Sequence, residues 1–261
     1  MATAMLAGLA KSNSQLDRHV VEPFEEARAR MFALGVHAHA AVNRDAVANA
    51  DVVVLAVKPQ VLKEACAQLA PLLSGEMIVS IAAGTTIRSM AAWLGGASGP
   101  YARIVRTMPN TPALIGQGMT GLYAPSTMAE SDVATAMTLM QSCGAVLRVN
   151  DESMIDAVTA VSGSGPAYVF HWIESMFAAA QAVGFSADDA RTLVLNNLKG
   201  ATALAEAATE LPSVLRERVT SQGGTTAAAL AVINQRGVQQ ALIDAVLAAR
   251  DRARELGQQS V

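Results

Sequence analysis

The spacing of apolar residues divides the chain near residue 150. Before that point, short unbroken apolar runs alternate with segments of helical periodicity. Residues 51–57 read Asp-Val-Val-Val-Leu-Ala-Val, the clearest strand in the chain. The run is apolar on both faces, which predicts a place in the middle of a covered parallel sheet. Further strands are predicted over 19–22, 77–81, 103–107, 119–123 and 145–149. Helices are predicted over 1–10, 24–34, 60–73 and 129–142, with another following Gly84 and running through Leu94. In the second helix Phe24, Ala27, Met31 and Leu34 recur at helical intervals and Gly35 ends the run. Gly8 predicts close packing of the first helix against a neighbour. Residues 11–15 form a polar loop, Pro23 closes the first strand, and Lys58-Pro59 stops the strand at 51–57. Such regular alternation is the signature of an α/β fold with a doubly wound, Rossmann-like parallel sheet.

Beyond Asp151 no strand candidate appears and the pattern turns to alanine-rich helix over 167–183, 186–210, 213–219, 226–234 and 238–256. Pro166 and Gly184 bracket the first of these in the usual asymmetric way. Ser186 and Asp189 make a capping-box-like start to the next. The helix at 167–183 is apolar nearly all round and must be covered on every side. A helical half of about 110 residues seldom covers such a helix alone, which points to an intertwined dimer. The expected domains are 1–150, an α/β domain, and 151–261, an all-α dimerisation domain.

Within the helical half, residues 219–230 stand out. Thr220, Ser221, Thr225 and Thr226 surround Gly223-Gly224. A glycine costs a helix roughly 1 kcal/mol against alanine, so a break falls at this pair. Thr225 or Thr226 then caps the helix resuming at Ala227. A glycine turn feeding a helix start presents backbone N–H groups that suit a carboxylate or phosphate. A plain capped turn fits the pattern equally well.

Composition narrows the function classes. The 261 residues are 52% hydrophobic and only 16% charged, so much of the chain is buried, partly between subunits. A formal net charge of −3 offers no basic surface to nucleic acid or an anionic membrane. Cys66 and Cys143 form no spacing motif, so a reducing cytoplasm is the simplest home. No apolar run reaches membrane-spanning length, and the start lacks the basic region of a signal peptide.

Ligands of doubly wound sheets bind beyond the carboxyl ends of the strands. Three strand ends carry small or functional residues: Ala56-Val57-Lys58-Pro59, Ala82-Ala83-Gly84 and Met108-Pro109-Asn110. Small residues let a flat ring or a ribose approach the backbone, and Lys58 offers a cation to phosphate. Each end is also compatible with an ordinary turn, but together they favour a dinucleotide. The glycine-rich loop that should join a first strand to the first helix is not in the sequence, which opens with that helix already under way. His37 and His39 alternate as strand neighbours do; lacking acidic or cysteine partners at metal spacing, they read as a strand edge, and no metal site is expected. His19 and His171 read as structural, and the scattered methionines as core filler.

Four motifs now stand together: Ala-Val-Lys-Pro-Gln (56–60), Met-Pro-Asn-Thr-Pro-Ala (108–113), Ser-Gly-Ser-Gly-Pro-Ala-Tyr-Val-Phe (162–170) and Val-Thr-Ser-Gln-Gly-Gly-Thr-Thr (219–226). In this order and at these separations the chain resembles the pyrroline-5-carboxylate reductase family. The resemblance implies reduction of 1-pyrroline-5-carboxylate to proline by NADPH or NADH, the last step of proline synthesis. It further implies a dinucleotide-binding domain followed by a helical domain that interlocks into a homodimer, with dimers often gathered into rings. The implied partner is the small-molecule substrate, with no nucleic acid and no membrane.

Residue by residue, the resemblance places Thr226 on the threonine that bonds the substrate ring nitrogen. Ser221, Gly223, Gly224 and Thr225 fall on the loop that holds the substrate carboxylate, and Glu152 on a glutamate near the substrate. Asn43 matches a cofactor-contacting asparagine; Ala56, Val57, Lys58 and Pro59, with Ala82 and Ala83, match the loops along the dinucleotide. The nicotinamide is expected near Pro109 and the Ala82-Ala83 turn. Gln222 replaces the family's frequent proline. Met1 corresponds to the residue after the family's glycine-rich loop, so the first strand and phosphate cradle are missing from the sequence; a start codon assigned too late is the favoured explanation. Glu22 ends a strand where an acidic side chain bonds the ribose hydroxyl of NAD and repels the extra phosphate of NADP. The family leans to NADPH, this residue to NADH. One rival is a β-hydroxyacid dehydrogenase, which carries a catalytic lysine in the long interdomain helix; 167–183 contains no lysine and Lys199 is the only one in the helical half. The other is a non-catalytic dimeric scaffold of the same fold.

Overall fold

The computed structural model of the chain describes residues 1–12, 15–97 and 99–259. It resolves into two compact units: residues 1–166 together with the chain from Ala248 onward, and Ala167–Leu247. The boundary expected at residue 150 falls between the last strand and the first helix that follows it.

The first unit runs α1 (Ala2–Ser12), β1 (His19–Val21), α2 (Glu25–Phe32), β2 (His37–His39), α3 (Arg44–Val47), β3 (Val52–Leu55), α4 (Pro59–Leu69), β4 (Met77–Ser80), α5 (Ile87–Leu94), β5 (Ile104–Met108), β6 (Gly118–Tyr123), α6 (Glu130–Gln141), β7 (Gly144–Arg148) and α7 (Met154–Val158). Lys11 and Ser12 extend α1 into the expected polar loop, of which Asn13 and Ser14 lie outside the described residues. Five strands form one sheet in the order β3-β4-β5-β6-β7, and β1 and β2 pair in parallel as a separate two-stranded sheet.

Side chains alternate across each strand, and the helices cover both faces of the larger sheet. Met77, Val79 and Val105 point to a core shared with Met5 of α1 and Val133, Ala136 and Met140 of α6. Ile78 and Ile104, their immediate neighbours in sequence, point to the opposite core with Leu62 and Cys66 of α4 and Met90 of α5. Doubly covered strands are the physical content of a run that is apolar at every position. Gly8 behaves as expected: a Cβ there would fall 2.2 Å from the Ser142 carbonyl oxygen, so only glycine lets α1 approach the end of α6.

Three expectations are corrected. The sheet is not wholly parallel, because β5 and β6 pair antiparallel, with Arg106 opposite Tyr123. Residues 109–117 join them through a 3₁₀ turn at Thr111–Ile115, and that connection is shorter than a parallel crossover requires. Second, β3 occupies an outer position, paired with β4 alone, and Val52, Val53 and Val54 are half-buried. An all-apolar run reports helices above and below a strand, not what lies along its edge. Third, Phe24 stands in the N-cap position of α2 and is 74% exposed, while Val57 lies beyond the end of β3. The apolar stripe of α2 is carried by Met31, which packs with Leu6, Val36, Val20 and Ala38.

The second unit contains the helices α8 (Gly165–Ala182, from Ala167), α9 (Ala187–Ala207), α10 (Pro212–Arg218), α11 (Thr225–Gln235) and the first part of α12 (Val238–Gln259). Ser186 caps α9, its hydroxyl accepting from the Asp189 N–H at 3.1 Å. No residue of α8 is buried within the single chain. Phe170, Trp172, Phe185, Leu204 and Leu211 are all exposed. The cover that α8 needs is therefore not supplied by its own unit.

Candidate active site

The residues expected along a dinucleotide all follow the carboxyl ends of strands. Glu22 follows β1, Asn43 follows β2, Ala56-Val57-Lys58-Pro59 follow β3 and Ala82-Ala83 follow β4. Ala56, Val57, Lys58 and Pro59 are exposed, and Lys58 is the N-cap of α4 with Pro59 in its first turn. No side chain caps α4; Pro59 carries no N–H and the Val61 N–H donates to the Lys58 carbonyl at 3.1 Å, so the exposed Lys58 supplies the positive charge at this helix start. The turn after β4 is held from within. Ser80 Oγ accepts from the Ala82 N–H at 3.2 Å, and Thr107 Oγ1 donates to the Ser80 carbonyl at 2.9 Å. Thr85, buried just beyond this turn, has a hydroxyl with no hydrogen-bond partner among the described residues.

The third strand end is tied to the motif at 162–170. Asn110 donates its amide to the carbonyl and hydroxyl oxygens of Ser162, at 3.1 and 3.2 Å, and accepts from the Met119 N–H at 2.8 Å. Ser162 lies in a π-helical turn, Thr159–Gly163, closed by the Ser164 N–H on the Thr159 carbonyl. π-turns inside helices recur at functional sites because they turn side chains and carbonyls out of the regular ladder.

Two expected contacts already have structural duties. Asn43 is the N-cap of α3, with Oδ1 accepting from the Ala46 N–H at 2.8 Å. Glu22 accepts from the Phe24 N–H at 3.0 Å through Oε1, and Arg28 donates to the Glu22 carbonyl at 2.8 Å. An acidic side chain and a guanidinium thus share the end of β1.

Glu152 occupies the centre of a network that sequence reading did not find. Its Oε1 accepts from the Ile87 N–H at 2.7 Å and from Arg106 at 3.1 Å. Arg106 also donates to Asp156 at 3.0 Å, and its side chain is 3% exposed. One buried cation therefore holds two carboxylates, and one of those carboxylates satisfies an orphan N–H at the start of α5. Glu152 so fixes the α5 end of the turn that carries Ala82 and Ala83. The available signal was Arg106 itself, a charged residue inside an otherwise buried strand.

In the second unit the 219–226 segment forms the turn between α10 and α11. Gly223 has φ +70°, and Gly224 is the N-cap of α11 with no side-chain cap bond. Thr225 and Thr226 stand inside the first turn, which corrects the expectation that one of them caps the helix. The Ser221 carbonyl accepts from the Gly224 N–H at 3.1 Å, closing the turn. A helix started on glycine keeps its first N–H groups open, with the hydroxyls of Ser221, Thr225 and Thr226 in the same turn. That is a stronger anion-binding arrangement than a threonine-capped one.

His37 and His39 stand in β2, as strand neighbours, but they do not lack an acidic partner. Pairing of β1 with β2 brings His19, His37 and His39 together, and Asp17 supplies the acidic partner that spacing along the chain did not reveal. No thiol competes for chemistry: Cys66 and Cys143 are buried, and burial pushes the Cys66 thiol up to about 11. A polar cleft at the opposite, amino-terminal ends of β3 and β4 is walled by Glu76 and by the Arg103–Asp132 ion pair, away from the strand ends named for the dinucleotide.

Comparison with known proteins places this geometry. A pyrroline-5-carboxylate reductase from Pseudomonas aeruginosa is 42% identical over 264 aligned residues, spanning 99% of this chain and 94% of the relative. The chain belongs to the pyrroline-5-carboxylate reductase family. Residues 152–256 match the family model for pyrroline-5-carboxylate reductase dimerisation, and residues 1–84 match that described as NADP oxidoreductase, coenzyme F420-dependent. The solved pyrroline-5-carboxylate reductase of Coxiella burnetii is 36% identical with a TM-score of 0.88, covering 98% of this chain and 94% of that one. The pyrroline carboxylate reductase of Plasmodium falciparum, solved with NADP bound, is 26% identical with a TM-score of 0.85 over the same shares. With this membership, neither a β-hydroxyacid dehydrogenase nor a non-catalytic scaffold is favoured. The chain is an NAD(P)H-dependent oxidoreductase with a Rossmann-like fold and a helical dimerisation region. None of its described helices is long and apolar enough to cross a membrane.

Proposed function

We infer that this protein reduces 1-pyrroline-5-carboxylate to L-proline, the closing step of proline synthesis. The strand ends at Ala56–Pro59 and Ala82-Ala83, with Glu22 and Asn43, hold the dinucleotide. The turn of Ser221, Gly223, Gly224, Thr225 and Thr226 holds the substrate carboxylate. The observation that carries the second assignment is the Gly224-capped start of α11, where open N–H groups and three hydroxyls share one turn.

Reducing the imine adds a hydride at carbon and a proton at nitrogen. NAD(P)H, when bound, supplies the hydride. Lys58 and the uncapped start of α4 neutralise its phosphate charge, and the small side chains of Ala82 and Ala83 leave room for a flat ring. Thr226 donates a hydrogen bond to the ring nitrogen and fixes the imine's orientation, which supplies part of the rate through alignment. A neutral hydroxyl is a poor acid, so the proton comes from water through or beside Thr226. Glu152 acts as a positioning residue for the Ala82-Ala83 turn. The domain division follows these roles: 1–150 for the dinucleotide, 151–261 for substrate and dimerisation. The cytoplasm is the proposed compartment, supported by two buried free thiols that fit reducing conditions. Dimers further associate into a ring, to be read by sedimentation.

Thr226→Ala tests the assignment. It should lower kcat/KM for pyrroline-5-carboxylate at least tenfold, about 1.4 kcal/mol of transition-state stabilisation, with the melting temperature unchanged. An unaltered kcat/KM removes Thr226 from the mechanism.

A further inference from the structure

Outside the residues assigned to the reductase site, one cluster of side chains converges without an assigned task. Because β1 and β2 pair in parallel with His19 opposite His37 and Val21 opposite His39, the three imidazoles share one face of the small sheet. The other face, Val20 and Ala38, packs into the core with Leu6 and Met31, so the imidazole face is turned outward. The His19 ring centroid lies 4.9 Å from that of His37 and 5.2 Å from that of His39.

Asp17, two residues before His19, closes the group. Its Oδ2 is 3.3 Å from His19 Nε2 and its Oδ1 is 3.5 Å from His37 Nε2. One ligand atom from each of the three residues lies within 4.8 Å of the others. His19 Nδ1 is 3.0 Å from His39 Nε2. When Nδ1 carries the proton and donates it to His39, the lone pair of His19 Nε2 is turned to the Asp17 side. Metal-binding histidines are oriented in this way, by a hydrogen bond from the ring nitrogen that does not bind.

We propose that Asp17, His19 and His37 bind a first-row transition-metal ion such as zinc or nickel, with His39 orienting His19. Two imidazoles and a carboxylate are the donor set such ions take, whereas magnesium and calcium prefer oxygen alone. Bonds of about 2.0–2.1 Å in a tetrahedral site put neighbouring ligand atoms about 3.3–3.4 Å apart. Asp17 presents Oδ2 to His19 at 3.3 Å and Oδ1 to His37 at 3.5 Å, each near that edge length, and a rotation of the exposed carboxylate brings the set, already within 4.8 Å, onto one ion. Water completes the coordination, since Asp17 is 75% and His37 70% exposed. Bound there, the ion fastens the segment before β1 to β2. Rival ligands are few: the chain has four histidines and two cysteines. Both cysteines are buried, and the fourth histidine, His171, lies in α8 beside Glu174.

The test uses the full chain without an affinity tag, stripped with a chelator and titrated calorimetrically with zinc and nickel chlorides, with cobalt absorption reporting the ligand field. One saturable equivalent per chain is expected, with a rise in melting temperature. Asp17→Asn and His37→Ala should each weaken binding at least about tenfold, and His39→Ala about 10- to 100-fold. His171→Ala should leave binding unchanged. Far-UV circular dichroism checks that each variant, including His39→Ala at a half-buried position, keeps the fold. Absence of saturable binding, binding that survives His37→Ala, or binding lost in His171→Ala overturns the proposal.

Discussion

At the scale of residues, the site depends on groups that do two things at once. Arg106 is almost wholly buried and has both of its terminal nitrogens committed to carboxylates, while its Nε has no partner among the described residues. Removing it would leave Glu152 and Asp156 facing each other without a cation, and breaking a buried pair from one side costs about 3–5 kcal/mol. Arg106→Ala should therefore lower unfolding free energy by about that amount in denaturant titration, and Glu152 should lose its hold on the α5 start. In the proposed cofactor site, Glu22 is the residue that would set specificity. Its carboxylate follows β1, and Arg28 donates to its backbone carbonyl, so in that site the carboxylate would repel a 2′-phosphate that Arg28 would attract. Glu22→Gln should raise the ratio of kcat/KM for NADPH over NADH, measured with both cofactors on the same preparation. A ratio that does not move would take Glu22 out of cofactor selection. The strand carrying Arg106 was legible in sequence, but its partners were not. Glu152 and Asp156 lie 46 and 50 residues further on, beyond the reach of any local periodicity.

At the scale of elements, the proposed ligand contacts gather at helix starts. Helix α4 opens on Lys58-Pro59 and α11 on Gly224, neither with a side-chain cap, whereas α9 is capped by Ser186 and α5 by Thr86 together with Glu152. The missing cap is not by itself a ligand signal, since α2, α6 and α10 also start without one; what sets α4 and α11 apart is Lys58 at one start and three hydroxyls at the other. Gly223 allows the α11 start, because at φ +70° a side chain is strained even though a Cβ would meet nothing within 4 Å. Gly223→Ala should cost about 1–2 kcal/mol of local stability and raise KM for pyrroline-5-carboxylate more than it lowers kcat, in steady-state assays. The glycine pair announced a break in the helix, and the break is there. Which residue would stand at the N-cap was not legible, since threonine and glycine are both acceptable caps and the choice rests on how Ser221 closes the turn.

At the scale of the whole molecule, the two units differ in how they satisfy their apolar residues. The first buries its strands between helices; the second leaves Phe170, Trp172, Leu204 and Leu211 exposed on helices that match the family's dimerisation region. Apolar surface of this extent on a single chain marks an interface. Phe170→Glu should shift the sedimenting species toward monomer and make the melting temperature dependent on protein concentration. An unchanged dimer would place the interface elsewhere. By itself the sequence determined most strands and helices of the first unit, though not the short α3 and α7, the helical second unit, and the strand ends and glycine turn proposed to hold ligands. Those are local matters, set by periodicity, by glycine and proline, and by which side chains can lie against a ligand. Tertiary structure alone decided the antiparallel β5–β6 pair, the outer place of β3, the Glu152–Arg106–Asp156 network and the convergence of Asp17, His19 and His37. Each of these depends on which segments lie side by side, and segments distant in sequence leave no trace of that in the spacing of residues along either one.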